Sequence, residues 1–250
     1  MAYVSFIKDE DFKKIIGEIL VIAAQSKKKA DTKFNRNVID PFSVLIEIGG
    51  FDIDFDTWVI SEKTRQAQKS LSNHVGLLHQ KLLGCIEGWT DLGVGQLIDV
   101  VNPQKKIIAE IKNKHNTIKG ADRIGLYKEL DNLVMMKGHQ YKDFTAYYVE
   151  IVPKKADRYN ICFTPSDKSK GNKCSPNEKV RQIDGASFYA LVTGIDDALE
   201  QIFRVLPQVI KDCKADAKMT GAEKATEFFK SAYVPKPPKT SRRMSSKASQ

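Results

Sequence analysis

With 250 residues, 42% hydrophobic and 28% charged, the chain is long enough for one large domain or two small ones and has the composition of a globular protein. No apolar run approaches the roughly 18 residues of a membrane-spanning helix, the opening MAYVSFIKDEDF lacks the layout of a signal peptide, and four scattered cysteines (Cys85, Cys162, Cys174, Cys213) fit neither a zinc ribbon nor a disulfide framework. The net charge of +9 favours a polyanionic partner, so a cytoplasmic protein with reduced thiols is expected.

In chain order, residues 9 to 25 place Phe12, Ile15, Ile16, Ile19, Leu20 and Ala23 on one helical stripe. SKKKADTKFNRN reads as a polar loop with a solvated lysine run. Asp40 and Pro41 open a short helix that IGGFD ends. From Ser61 a long helix is expected, with Ser61 as N-cap and Glu62 in its first turn. Its core face carries Ala67, Leu71, Val75, Leu78, Leu82 and Ile86; Arg65, Gln66, Lys69, His79 and Gln80 lie on the other side, and Glu87 at its end.

Residues 96 to 101 and 106 to 112 read as two strands joined by NPQK. Strand-like runs follow at FTAYYVEIV and RYNICF, with a shorter one at SFYALV. A closing helix begins near Asp196 or Asp197, carries Ala198, Leu199, Ile202, Phe203, Leu206 and Ile210, and is expected to kink at Pro207. The economical architecture is one α/β or α+β domain, a mixed β-sheet flanked by helices, over residues 1 to 233. Residues 234 to 250, VPKPPKTSRRMSSKASQ, hold five basic residues and no acid and read as a disordered tail, leaving the body at +4.

The chemistry concentrates on IDVVNPQKKIIAEIKNK. Period-two alternation puts Ile108, Glu110 and Lys112 on one strand face. In a hairpin with a loop of two or four residues, Asp99 faces Ile108 and is a diagonal neighbour of Glu110, with about 7–8 Å between backbones. An odd loop would break the arrangement. Lone charges on such strands cost free energy unless paired or bound to something. Two carboxylates and the backbone carbonyl of Ile111 suit Mg²⁺, a hard cation that activates water and stabilises charge on a phosphate oxygen. Lys112 is a compact cation suited to orienting that water or neutralising the developing charge. The spacing alone is also met by a plain Asp and a Glu–Lys pair on a strand edge.

Around this pattern the sequence resembles the type II restriction endonucleases of the PD-(D/E)xK superfamily, particularly the group that cuts GGNCC-type sites. EKTRQAQKSLSN, HQKLLGCIEGWTDLG, AEIKNKHNTIKG, AYYVEIVPK, EKVRQIDG and SFYALVTG carry the likeness over roughly residues 38 to 210. By it, Asp99, Glu110 and Lys112 correspond to the motif's catalytic residues. Ile98 replaces the proline that names the motif, and Glu87 stands where many of these nucleases have an extra acidic metal ligand. The resemblance implies a restriction-endonuclease-like fold, Mg²⁺ dependence with Mn²⁺ able to substitute, and a homodimer on near-palindromic double-stranded DNA. It also implies a cognate DNA methyltransferase in the same restriction–modification system.

Guanines in the major groove are read best by Arg or Lys. Candidates are Arg65, Gln66 and Lys69 on the long helix, and Lys114, His115, Asn116 and Thr117 after the catalytic strand. Arg158, Lys168 and Arg181 complete them, Arg181 preceding a compact Asp184–Gly185 turn. For each of them a phosphate contact or a solvated charge is the plainer reading. Trp58, Trp89, Tyr147 and Tyr148 are expected in the core, since duplex DNA offers its bases already stacked. Two other readings remain: a structure-selective repair or recombination nuclease of the same fold, and a DNA-binding protein without catalysis. An RNA-binding module ranks last, for want of an RNP-like aromatic pattern.

Overall fold

The computed structural model of the chain describes residues 2–167 and 171–235. Lys168 and the basic tail beyond residue 235 lie outside the described residues. The element order begins with four helices: α1 (Asp9–Thr32), α2 (Pro41–Phe51), α3 (Phe55–Gly76) and α4 (Leu78–Gly84). Then come β1 (Thr90–Asp91), β2 (Val100–Asn102), β3 (Ile107–Lys114), α5 (Gly120–Met135) and β4 (Thr145–Val152). The chain continues through β5 (Asn160–Cys162), β6 (Ser166–Asp167), β7 (Asn172–Lys173) and β8 (Val180–Asp184) to α6 (Gly185–Thr193), α7 (Ala198–Cys213) and α8 (Ala225–Tyr233).

Six strands form one mixed sheet in the order β1-β2-β3-β4-β8-β5. The β1–β2, β2–β3 and β8–β5 pairs are antiparallel, whereas β3–β4 and β4–β8 are parallel. A parallel neighbour demands a crossover, and α5 supplies it between β3 and β4. Strand alternation splits the core in two. Ala109, Ile111, Val149, Ile151 and Ile183 face α1, α4, α6 and α7; Ile108, Ala146, Tyr148 and Val180 face Leu126, Leu130 and Val134 of α5. The mixed sheet flanked by helices agrees with the expected fold class. Among the described residues no helix is long and apolar enough to cross a membrane.

Several elements differ from the sequence reading, each for a local reason. The lysine-rich stretch continues α1 to Thr32, because Lys, Ala and Gln are good helix formers and Ala30 is buried. The long helix starts seven residues early, since the Asp54 carboxylate, in place of Ser61, caps it by accepting the Thr57 N–H (2.7 Å). It breaks after Gly76, the weakest helix former there, and the phase shift turns Gln80 inward to 3% exposure. The first hairpin strand shortens to Val100–Asn102.

SFYALV is helix α6, not a strand. Asp184 Oδ1 accepts the Ser187 N–H (2.9 Å), Phe188, Tyr189 and Val192 recur at helical spacing, and Gly194 closes the helix with φ 76°. Asp184–Gly185 is thus a helix start and not a compact turn. A Cβ on Gly185 would stand 2.5 Å from the Ile151 carbonyl oxygen, so only glycine lets α6 rest on β4. The closing helix runs on through Pro207.

Candidate active site

The β2–β3 hairpin sets the site. Pairing of Asn102 with Ile107 leaves a four-residue loop, Pro103–Lys106, and the ladder ends at the Val100–Ala109 pair, with Asp99 just beyond it and beside Glu110. The parity is as the sequence suggests, but the register is shifted by two residues: Val101, and not Asp99, faces Ile108. The Asp99 N–H donates to the Ala109 carbonyl (2.9 Å), and Asp99 Oδ2 accepts the Ile111 N–H (2.6 Å). The carboxylate thereby takes the place of the next ladder carbonyl. Because the N–H and C=O of a strand residue share an edge, the Ile111 carbonyl lies on that same side of β3.

Lys112 Nζ donates to Glu110 Oε1. Glu110 Oε2 is buried without a protein partner. Burial first, then the negative charge of Asp99, pushes the Glu110 carboxyl from its ordinary 4.5 up to about 7. Burial likewise raises Asp99. Two opposed carboxylates, one oxygen orphaned and both reluctant to ionise, form a donor set that fits a hard divalent cation. Among the described residues no third His, Cys, Asp or Glu completes a metal cluster.

Glu87 does not join the pair. It is exposed beyond the Asn102 end of β2, where Gly88 packs against the Asn102 side chain, while Asp99 marks the opposite end. Asp91 adds negative potential to Asp99. Its own carboxylate accepts Gln80 Nε2 (2.7 Å) and the Gly93 N–H (2.8 Å); pairing with Val100 puts it on the other sheet face.

Beside the dyad lies a polar cluster that sequence reasoning missed. In register, Glu110 neighbours Tyr148 and Lys112 neighbours Glu150. Glu150 is 3% exposed, yet it accepts from Arg123 Nη1 (2.8 Å), Tyr159 Oη (2.6 Å) and Gln182 Nε2 (2.9 Å). Desolvation alone would raise its pKa; these hydrogen bonds hold it below the ordinary carboxylate value. Arg123 also lies over the Tyr148 ring, 5.0 Å from its centroid. The sequence signal was present: Glu150 is the lone charge in the apolar run AYYVEIV.

Residues 4–214 match the model of the Eco47II restriction endonuclease family. The chain belongs to the Eco47II restriction endonuclease family. It is 46% identical over 211 residues to the type II restriction enzyme Eco47II of Escherichia coli, covering 84% of this chain and 88% of that enzyme. To the type II restriction enzyme Sau96I of Staphylococcus aureus it is 33% identical over 214 residues, covering 84% and 80% respectively. The protein is therefore a type II restriction endonuclease, a site-specific deoxyribonuclease whose substrate is DNA. A divalent-metal requirement goes with that class.

The candidate reading residues of the endonuclease fall into two groups. Lys114 to Thr117 form the turn leaving β3, with the Thr117 hydroxyl donating to the Lys114 carbonyl (2.7 Å) and the His115 N–H to the Val152 carbonyl (3.0 Å). Asn116 and Thr117 are exposed. His115 Nδ1 is buried without a protein partner. This turn is continuous with the strand that carries Glu110 and Lys112.

The others are separate from it and mostly engaged. Arg65, Gln66 and Lys69 line a cavity of about 620 Å³ between α1, α2 and α3; Arg65 and Gln66 both bind Glu62. Arg158 joins the Ala186 carbonyl and Ser187 of α6 to Asp196. Arg181 is held by Asn160 (2.6 Å) and Glu178 (2.5 Å) and ties β8 to β5. Asp196 for Arg158 and Asn160 for Arg181 are partners that the sequence neighbourhoods did not reveal. Trp58, Trp89, Tyr147 and Tyr148 are core residues, as expected.

Proposed function

We propose that the endonuclease hydrolyses both strands of double-stranded DNA at a near-palindromic GGNCC-like site, with Mg²⁺, or Mn²⁺ in its place, held by Asp99, Glu110 and the Ile111 carbonyl. The observation that carries the metal assignment is the buried Glu110 Oε2 without a protein partner, beside the Asp99 carboxylate. When bound, the cation supplies Lewis acidity to a phosphate oxygen and eases deprotonation of a water.

The chain's own residues do the rest. Asp99 is fixed by the Ile111 N–H, so its carboxylate needs no reorganisation on binding. Glu110 is held between Asp99 and Lys112. Lys112, with 27% of its side chain exposed, offers a compact cation at the mouth of the pair, where it orients the attacking water and neutralises charge as the ester oxygen leaves phosphorus. The turn Lys114–Thr117 contacts the backbone next to the scissile phosphate. Residues 1 to 233 act as one endonuclease domain, and the basic tail adds non-specific affinity for DNA. The working unit is a homodimer, which brings one site to each strand. It acts in the cytoplasm, where a cognate methyltransferase protects the host genome.

Digestion of a fully sequenced, unmethylated plasmid tests this reading. Discrete fragments with GGNCC-like ends are expected with Mg²⁺, none with EDTA and none with Lys112→Ala. Intact plasmid in every condition, with duplex binding retained, would refute it in favour of DNA binding without catalysis.

A further inference from the structure

We infer that two copies of this chain meet through an antiparallel pairing of helix α2 with its symmetry mate. The inference deepens the homodimer reading by naming its surface. Helix α2 has no buried residue, although its sequence PFSVLIEIGGF is among the most apolar in the chain. Its inner face (Val44, Glu47, Ile48) is partly covered by α3, and Glu47 accepts the Trp58 indole N–H (2.8 Å). The outer face carries Phe42, Leu45 and Ile46, exposed at 75%, 72% and 73%. Spacing of three and four residues makes these a stripe, and Gly49 continues it. Among the described residues nothing covers the stripe.

A large apolar side chain offers on the order of 150 Å², so the exposed parts of Phe42, Leu45 and Ile46 leave roughly 330 Å² uncovered on the outer face of α2. That is within the about 300–600 Å² of the largest patch on a monomer, a patch that is often functional, and it would form the apolar centre of an interface of about 800 Å² per partner.

Two features specify a second copy as that partner. The stripe itself carries no charge, so it can face itself despite the chain's net +9. The flanks differ in sign: exposed Lys33 and Arg36 precede α2 with one acid, Asp40, at its N-cap, whereas exposed Asp52, Asp54 and Asp56 follow it without a base. An antiparallel two-fold pairing lays each basic flank against the partner's acidic one. Centring the axis between Leu45 and Ile46 brings Phe42 onto the other copy's Gly49. Apart from its chain neighbours and the helix's own backbone, no atom of the described residues lies within 4 Å of where a Gly49 Cβ would be, so the position is open to receive an aromatic ring.

Sedimentation velocity of the full chain in EDTA, without DNA, tests the interface independently of cleavage. The wild type is expected to be a dimer at micromolar concentration. Leu45→Glu/Ile46→Glu should weaken dimerisation by roughly 100-fold or more while keeping the wild-type circular dichroism. Ile46→Cys should form a disulfide-linked dimer on mild oxidation, and Val21→Cys, exposed on α1, should not. A wild-type monomer, an unweakened dimer in the glutamate variant, or cross-linking no better from position 46 than from 21 would each overturn the inference. Should the glutamate variant misfold, the cysteine pair decides. Loss of cleavage by an intact dimer would count against the catalytic reading and leave this interface standing.

Discussion

Replacing Glu110 by Gln should stabilise the metal-free protein while abolishing cleavage. The Glu110 carboxyl is held near 7 against an ordinary 4.5, so folding is penalised whenever that group must be ionised. The sign follows from linkage: a raised carboxylate pKa leaves stability untouched well below 4.5 and erodes it progressively as pH rises towards 7 and beyond. At pH 8 the penalty for a shift of this size is about 3 kcal/mol, and at pH 5 it falls to about 1 kcal/mol or less. Gln keeps the shape and cannot ionise. Thermal unfolding in EDTA should show Glu110→Gln melting on the order of 5–10 °C higher at pH 8, with most of that gain gone at pH 5. Mg²⁺ should raise the melting point of the wild type by mass action and leave the variant unmoved. A variant less stable than wild type at pH 8, or equally stabilised at both pH values, would refute the idea that these carboxylates strain the free site.

Three further outcomes are expected. Arg123→Ala leaves the almost fully buried Glu150 without its cation, at a cost of about 3 kcal/mol in urea unfolding; adding Glu150→Gln should recover part of it. Gly185→Ala drives a Cβ against the Ile151 backbone and should cost at least about 2 kcal/mol, seen as a lower melting point without a change in the fragment pattern of the surviving enzyme. His79, whose ring lies 3.0 Å from the Tyr189 hydroxyl, is depressed by desolvation to about 4. Its neutral form is the folded one, so stability is full above about 6.5 and lost as pH falls towards 4, by about 2 kcal/mol at pH 5. His79→Phe should flatten that acid limb in pH-resolved unfolding.

The hairpin of the candidate site was legible because charges on an alternating apolar strand are costly and hence informative: Glu110 and Lys112 declare a shared face, and loop parity brings Asp99 to it. The exact register was not: the four-residue loop is Pro103–Lys106 and not Asn102–Lys105, a choice that rests on the left-handed Lys106 (φ 51°) and the Lys105 N–H bond to Asn102 Oδ1. SFYALV misleads because Phe, Tyr and Val favour strands, while the Asp184 cap and the seat on Ile151 decide for helix. Helix α5 carries its own signal, Leu126, Leu130 and Val134 at intervals of four, interrupted by the poor helix former Gly125. Positive charge is the least legible feature. Nothing near Arg158 in sequence announces Asp196, 38 residues away, so a basic residue reads as a DNA contact until its partner is seen.

The outer strands of the six-stranded sheet bear on how the enzyme behaves when concentrated. β1 has two residues, and β5 has three, its neighbourhood pinned by Arg181. Edges that short present almost no free ladder for another molecule's strand to extend, which is how sheet proteins avoid growing into fibrils. The protein is therefore guarded against uncontrolled polymerisation even though it exposes an apolar helix. Once the outer face of α2 is made polar, the expected product is a clear, freely soluble solution and not a precipitate.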